Sequence, residues 1–351
     1  MPMLLSQLFG LPPFQNVELT NVIQRIEYLP GLLGSMPGLF ETSSATTRTI
    51  AMGQTEGKLS LILTRPIGAP PVELELKPSN LRTFHIHSFA KGTTLMVESM
   101  TGFAQMPDFQ QVATVQSELA RRAVKIRTDH EFTREHMRFG AVMGLVRDAD
   151  GSVLDNFWED WGRPMPEWIN FPLNDPNAQL RELCRLITSD VSRNSEGGFI
   201  PGRTQIHALC GEEFYTRLLT HPEVERTFWG YAAAADLRAQ ILDQFQFGGI
   251  IFHDYRGTDD GTTMAIQGDE AHFFPAGGNE VFREIHGPAE FEPWINQPGL
   301  EIYALTIPDR DRNAFVRFEA YAYPLYVCVR PEMLRRARIS GPAGASAKGA
   351  K

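Results

Sequence analysis

The sequence has few cysteines, no long apolar run, no basic tract and no catalytic signature, and each absence excludes something. Its three cysteines, Cys184, Cys210 and Cys328, form no CxxC pair and no zinc spacing, and their odd number closes no disulfide framework. Buried free thiols in a reducing compartment are the expectation. No stretch approaches the roughly 20 apolar residues of a membrane span. The first ten residues, MPMLLSQLFG, lack a basic start and a cleavage site. The sequence therefore predicts a soluble protein with no leader and no membrane, made in the cytoplasm. With 33 Lys and Arg against 42 Asp and Glu, the formal net charge is −9. Gripping nucleic-acid phosphate needs the opposite balance. There is no P-loop, no GxGxxG after a strand, no HExxH and no GxSxG.

What is present is organised around one stretch, Asp108 to Gly140, which holds no Gly or Pro before its last residue. Phe109, Val112, Val115, Leu119, Ala123, Ile126 and His130 recur at helical spacing. Asp108 with Gln111 three residues on reads as a capping box, and Gly140 as a stop. The helix would be roughly 50 Å long. Glu118, Arg121, Arg122, Lys125, Arg127, Asp129, Arg134, Glu135 and Arg138 are expected on its solvent side. A coiled coil is the competing reading, and the missing heptads argue against it.

The remaining chain, 42% apolar overall, allows two or three packed units. Residues 1–40 are rich in Pro, Gly and Leu, and predict an arm that lies on its own or a neighbouring subunit, with a short helix near 21–29. From Thr46 to Val97, β-like runs (TTRTIAMG, GKLSLILTR, VELELKP, LRTFHIHSF, TTLMVES) flank the stiff tip Arg65–Pro71. A long hairpin of this kind cannot bury both faces by itself. Asp150-Gly151 predicts a second hairpin. Beyond it come an irregular Trp- and Pro-rich connection, a helix capped by Asp175-Pro176, a strand RTQIHALC and a short helix 212–219. A further helix opens at His221-Pro222-Glu223 and runs through alanines 232–235 to Leu242. Phe245 to Phe252 reads as one strand broken by a glycine pair. EAHFFP, GLEIYALTIP and FVRFEAYAYPLYVCV read as strands, 331–338 as a basic helix, and the last residues as a polar tail.

Candidate chemistry is thin. His85 and His87 would share one strand face and supply half a metal site, the basis of an alternative reading as a metal-dependent hydrolase. His253-Asp254 with Asp259, Asp260 and Asp269 would make an acidic pocket, though turn chemistry explains the Asp-Asp-Gly run. His207 near Cys210 would suggest a thiol nucleophile, against the plainer reading of a buried strand end. No catalytic, cofactor-binding or metal-binding residue is assigned. An apolar arm, a projecting hairpin and a beam-like helix without a site describe a building block.

The second half carries a family pattern. IHALCGEEFYTRLLTHPEVERTFWGY (206–231), FQFGGIIFHDYRG (245–257), GDEAHFFPAGG and YAYPLYVCVRPEML resemble stretches of tailed-phage major capsid proteins of the lambda type E family, in the same order. DHEFTREHMRFGAVMGLVRDADGSVLDNF resembles the family's helix end and hairpin. The resemblance implies an α+β, Hong Kong 97-like capsid fold: an N-terminal arm at 1–45, an extended loop at 46–92 and a peripheral domain at 93–174 with its spine helix. An axial domain at 175–314, a return to the peripheral domain at 315–338 and a flexible tail at 339–351 complete it. It further implies pentamers and hexamers that close into an icosahedral shell around double-stranded DNA, with a scaffolding protein, a portal and a decoration protein as partners. Such a protein resides in the virion, needs no cofactor and is not an enzyme. Lys58 and Lys77 fall in the extended loop, where some relatives cross-link, but nothing in the sequence carries that chemistry over. A nanocompartment shell of the encapsulin type is the variant reading within the fold.

Overall fold

A computed structural model describes residues 16–25, 31–53, 81–96, 108–229, 244–256, 266–309, 311–312 and 314–339. In chain order these are α1 (Asn16–Arg25), α2 (Leu32–Ser35), β1 (Phe40–Ser44), β2 (Thr49–Gly53), β3 (Leu81–His85), β4 (Phe89–Met96), α3 (Asp108–Met143), β5 (Leu145–Arg147), β6 (Val153–Asn156) and α4 (Phe157–Asp160). Then follow β7 (Trp168–Phe171), α5 (Leu180–Arg193), β8 (Gln205–Cys210), α6 (Glu212–Leu219), α7 (Pro222–Trp229), β9 (Gln244–Phe247), β10 (Ile250–Asp254) and β11 (Glu270–Ala276). The chain closes with β12 (Phe282–His286), β13 (Tyr303–Pro308), β14 (Phe315–Ala322), β15 (Pro324–Cys328) and β16 (Arg335–Ile339). Helices and sheets are mixed along the chain, an α+β architecture as expected.

The long helix α3 has 36 residues, about 54 Å, and passes Gly140 by three. Val146 and Leu145 backbone crowd Gly140 so closely that a Cβ there would lie 2.8 Å from the Val146 Cα, which explains a glycine that does not end the helix. The end comes at Gly144, whose φ of +80° turns the chain into the β5–β6 hairpin. Along α3 the apolar stripe serves two separate cores. Val115, Leu119, Ala123 and Ile126 pack with Leu19 and Ile23 of α1 and with Leu95, Ala304, Val316, Phe318 and Ala320. Met137, Phe139, Ala141 and Val142 enter the larger core.

That larger core lies against a six-stranded sheet of order β7-β16-β11-β8-β10-β9, in which β8–β10 and β7–β16 are parallel. Alternate residues Ala208, Cys210, Phe252, Ala271, Phe273 and Ala337 are buried, beside Leu180, Cys184, Ile187 and Val191 of α5 and Phe214 and Leu218 of α6. The three cysteines are free and buried, and burial pushes each thiol well above its usual range, so they act as small apolar groups. The smaller sheet β13-β14-β4 is antiparallel, and a third sheet sets β1 parallel to β12 and β12 antiparallel to β15. β2 and β3 form a ribbon that buries Met52 and Phe84 and leaves Leu81 exposed where the chain leaves it.

Several expectations change. FVRFEAYAYPLYVCV is two strands in different sheets, split at Tyr323. Residues 331–338 are not a basic helix: a single 3₁₀ turn, Pro331–Met333, leads into β16. There the alternation of Arg336, Ala337 and Arg338 fits a strand. Ala337 is buried, and both arginines lie over Trp168, 4.4 and 4.5 Å from the ring centre. The helix expected from Asp175 begins at Leu180, because its cap is supplied from afar: Glu223 accepts from the Leu180 amide at 2.6 Å and the Arg181 amide at 3.3 Å. LRTFHIHSF breaks after His85. β1, β7 and β12 carry no strand expectation in the sequence reading. The tip Arg65–Pro71, alanines 232–235 and the terminal tail lie outside the described residues.

Phe245–Phe252 is a hairpin, not one strand. Gly248 and Gly249, with φ of +59° and +86°, form a two-residue turn between β9 and β10. A Cβ on Gly248 would also lie 2.6 Å from the Cys184 Cβ, whereas one on Gly249 meets open space. Gly248→Ala is therefore expected to cost about 2–3 kcal/mol and Gly249→Ala about 1–2 kcal/mol. Chemical denaturation of the two variants side by side measures the difference.

Candidate functional site

Of the charged residues expected on the outside of α3, Arg121 and Lys125 are exposed and Glu118, Arg122 and Asp129 half-buried, but Arg127, Arg134, Glu135 and Arg138 instead build the interior of the molecule. Arg127, Glu131, Arg134, Glu135 and Arg138 are all buried. They continue, at spacings of three and four, along the side of the helix that the apolar stripe occupies further up. Three guanidinium groups face four carboxylates. Arg127 donates to Glu301 at 2.8 Å and lies 3.2 Å from Glu131. Arg134 donates to Glu131 at 3.1 Å, to the Glu301 carbonyl at 3.1 Å and to the Glu301 carboxylate. Arg138 reaches Glu284 of β12 at 3.2 and 3.3 Å, and the Tyr326 hydroxyl of β15 donates to the same carboxylate at 3.1 Å. Burial alone would push Glu301 up, but Arg134 and Arg127 outweigh it and hold the carboxyl below its usual range. The cluster ties α3, β12, β15 and the segment before β13 to one another.

Glu135 points a different way. Its carboxylate accepts from the Leu33 amide at 2.8 Å and the Gly34 amide at 3.1 Å, and the Tyr255 hydroxyl donates to it at 3.4 Å. Burial pushes this carboxyl up, and the two amides and Arg138 work against that. The long helix thus clamps the first turn of α2. A Cβ on Gly31 would lie 2.2 Å from the Glu135 carboxyl carbon. Glu135→Ala is expected to cost about 1–3 kcal/mol, since two amides lose their acceptor, and to raise hydrogen exchange at Leu33 and Gly34 before any other part of the chain. Unchanged exchange there would contradict the clamp.

The candidates for chemistry are dispersed and occupied. His85 ends β3 and faces the Thr49 hydroxyl at 3.4 Å, while His87 lies beyond the strand and pairs with Asp155 at 2.7 Å. Among the described residues no group of three or more His, Cys, Asp or Glu is placed to hold a metal. Asp254 pairs with Arg256 at 3.2 Å and Asp269 with Arg338 at 3.4 Å, while Asp259 and Asp260 lie outside the described residues, as do Lys58 and Lys77. Cys210 sits in the core. His207 is bonded instead to His253, with 2.9 Å between Nδ1 and Nε2 and ring planes within 10°. The sequence reading missed the buried ionic cluster. Its signal was the run Arg127, Glu131, Arg134, Arg138, which keeps the periodicity of the core.

Comparison with known proteins decides what this architecture belongs to. The family model for phage major capsid protein E matches residues 16–339. The chain belongs to the phage major capsid protein E family. It is 23% identical to the major capsid protein of Salmonella phage Felix O1 (isolate Felix O1-VT1), over 94% of this chain and 98% of that one. Identity to the major capsid protein of Pseudomonas phage KPP10 is 22%, over 94% and 99%. The fold is shared with a crystal structure of a protein assigned as a prophage capsid protein from E. coli CFT073. That structure has 13% identity and a TM-score of 0.50, with 97% of this chain and all of that one covered. The fold is thus the Hong Kong 97-like capsid fold, and the family role is structural: a major capsid subunit of a phage shell.

Proposed function

We propose that copies of this chain assemble as pentamers and hexamers into the icosahedral shell of a tailed double-stranded DNA phage. The observation that carries the reading is the family match from residue 16 to residue 339, which takes in every described element from α1 to β16. In this reading residues 1–45 are an arm and 46–92 an extended loop. Residues 93–174 with 315–338 make the peripheral domain, 175–314 the axial domain and 339–351 a tail. The pairing of β4 with β14 supports the return of the chain. Because the β13–β14 hairpin crosses the boundary at 314, we place β13 with the peripheral sheet.

The subunit is made in the host cytoplasm, assembles with a scaffolding protein, meets a portal at one vertex and takes a decoration protein on its surface. It encloses DNA without reading sequence, which suits the net charge of −9. It needs no metal or cofactor, contacts no membrane and performs no catalysis. Sedimentation of the purified protein, followed by negative-stain microscopy of the fast fraction, tests this. Closed shells or five- and six-fold rings are expected, with co-expressed scaffolding protein where the chain alone stays small. A chain that remains monomeric with its scaffold contradicts the proposal.

A further inference from the structure

Helix α1 lies along the edge of β13 and runs antiparallel to it. Its first residue, Asn16, accepts through Oδ1 from the Thr306 amide at 3.1 Å and the Thr306 hydroxyl at 3.3 Å, while Thr20 meets Ala304 and Gln24 meets Ile302. Thr20 and Ile23 are buried, so the helix is fixed in place. Followed backwards, the chain therefore leaves α1 toward the Pro308 end of the strand. That end carries a groove of about 500 Å³ lined by Thr306, Ile307, Pro308, Asp309, Phe315 and Arg317. Ile307, Phe315 and Arg317 stand on the face of the sheet opposite Val316 and Phe318, which enter the second core. Ile307 is 41% exposed and Phe315 half-buried. The charged groups of the groove are already engaged. Asp309 accepts from the amides of Asp311, Arg312 and Ala314 at 3.1 to 3.2 Å, and Arg317 lies 3.7 Å from Glu319. What the groove has left to offer is apolar.

We propose that this groove is the seat of residues 1–15 of the same chain, which lie outside the described residues. Eight of the fifteen are Met, Leu or Phe and none is charged, which suits an apolar groove whose ions are paired. Pro2, Pro12 and Pro13 lack the amide that strand pairing needs, so side chains set into a groove fit this segment better than a place beside an edge strand. The reach is ample. Phe14 is two residues from Asn16, at most about 7 Å, and Thr306 to Pro308 spans about the same. Phe9 can lie up to about 24 Å from Asn16. The tether decides which copy supplies the segment. So short an attachment sets the effective concentration on the order of millimolar, above that of free copies in dilute solution. The segment would cover the open face of the β13–β14 hairpin and fasten the start of α1. The proposal concerns the single subunit and stands whether or not the chain builds a shell.

The test uses the slow-sedimenting fraction of the full chain, kept dilute, with Phe9 replaced by the photoreactive p-benzoylphenylalanine. After irradiation, peptide mapping is expected to place the cross-link within residues 305–317 of the same chain. Ile307→Asp should lower its yield at least fivefold, and Leu186→Asp, at an exposed leucine of α5, should leave it unchanged. Leu8→Asp with Leu11→Asp should lower it as far, and these changes test the contact without altering the groove. Equal parts of isotope-labelled and unlabelled chain identify the donor. Cross-links within one isotope are expected, whereas mixed pairs would assign the groove to a second copy and overturn the proposal. A cross-link that maps elsewhere, the absence of any cross-link, or a yield indifferent to both the Ile307 and the Leu8 and Leu11 changes overturns it as well.

Discussion

Arg134→Met is expected to cost about 3–5 kcal/mol, enough to leave most of a typical domain's stability spent on one residue. The arginine is 1% exposed and sits among Glu131, Glu284 and Glu301. Its removal strands the buried carboxylates of Glu131 and Glu284 and takes the shortest contact from the half-buried Glu301, which is worse than losing a surface ion pair. Arg127 and Arg138 each retain other partners and cannot turn to cover all three acids. The double variant Arg134→Met with Glu301→Leu should recover part of the loss, because it removes the main stranded partner along with the cation. Urea denaturation of the wild type, the two single variants and the double variant gives the coupling. A single variant within 1 kcal/mol of wild type would mean that the cluster is solvated.

Acid should unfold this protein earlier than its carboxylates alone would. The imidazoles of His130, His207, His253 and His286 are held at about 4, and that of His136 also below its ordinary value, first because burial disfavours the cation. Arg134 adds to this at His130 and His286, and His207 adds to it at His253. In the unfolded chain these groups take protons near 6.5. Between pH 6.5 and 4 the folded state therefore binds fewer protons, and its stability falls as the pH falls. It is complete above 6.5 and the loss levels off near 4. One independent imidazole moved that far accounts for about 3 kcal/mol. His207 and His253 share a hydrogen bond and titrate as a pair, so they count for less than two. Glu135 and Glu332 are held above the usual carboxylate range and act in the opposite sense, favouring the folded state in acid. The expected result is a loss of several kcal/mol between pH 7 and pH 4.5, read from urea midpoints, and a shallower loss in His253→Phe. Stability that is flat across that window would contradict the buried, neutral imidazoles.

The sequence was most legible where one local rule acts alone. α3 follows from its periodicity, the β5–β6 hairpin from Asp150-Gly151, and β8 and α6 from short apolar patterns with a glycine between them. It was least legible where a distant partner decides. α5 starts at Leu180 because Glu223 is there to cap it, and 335–339 is a strand because β7 and β11 flank it. Charge misled in the same way. Arg127, Arg134 and Arg138 read as a wet face until Glu284 and Glu301, about 150 residues onward in the chain, arrive to pair with them. Of the assembly surface, the sequence offers only the expectation of an arm and a hairpin that need cover on a neighbour. The family pattern succeeded because it draws on many such distant choices at once.

The measurement that tests the central claim most directly is an electron cryomicroscopy map of particles assembled from this chain. It should show a closed icosahedral shell of pentamers and hexamers in which residues 46–92 of each subunit lie across a neighbour and α3 runs within one subunit. A map of discrete, open oligomers, or of subunits whose arm and loop are buried wholly on themselves, would contradict it.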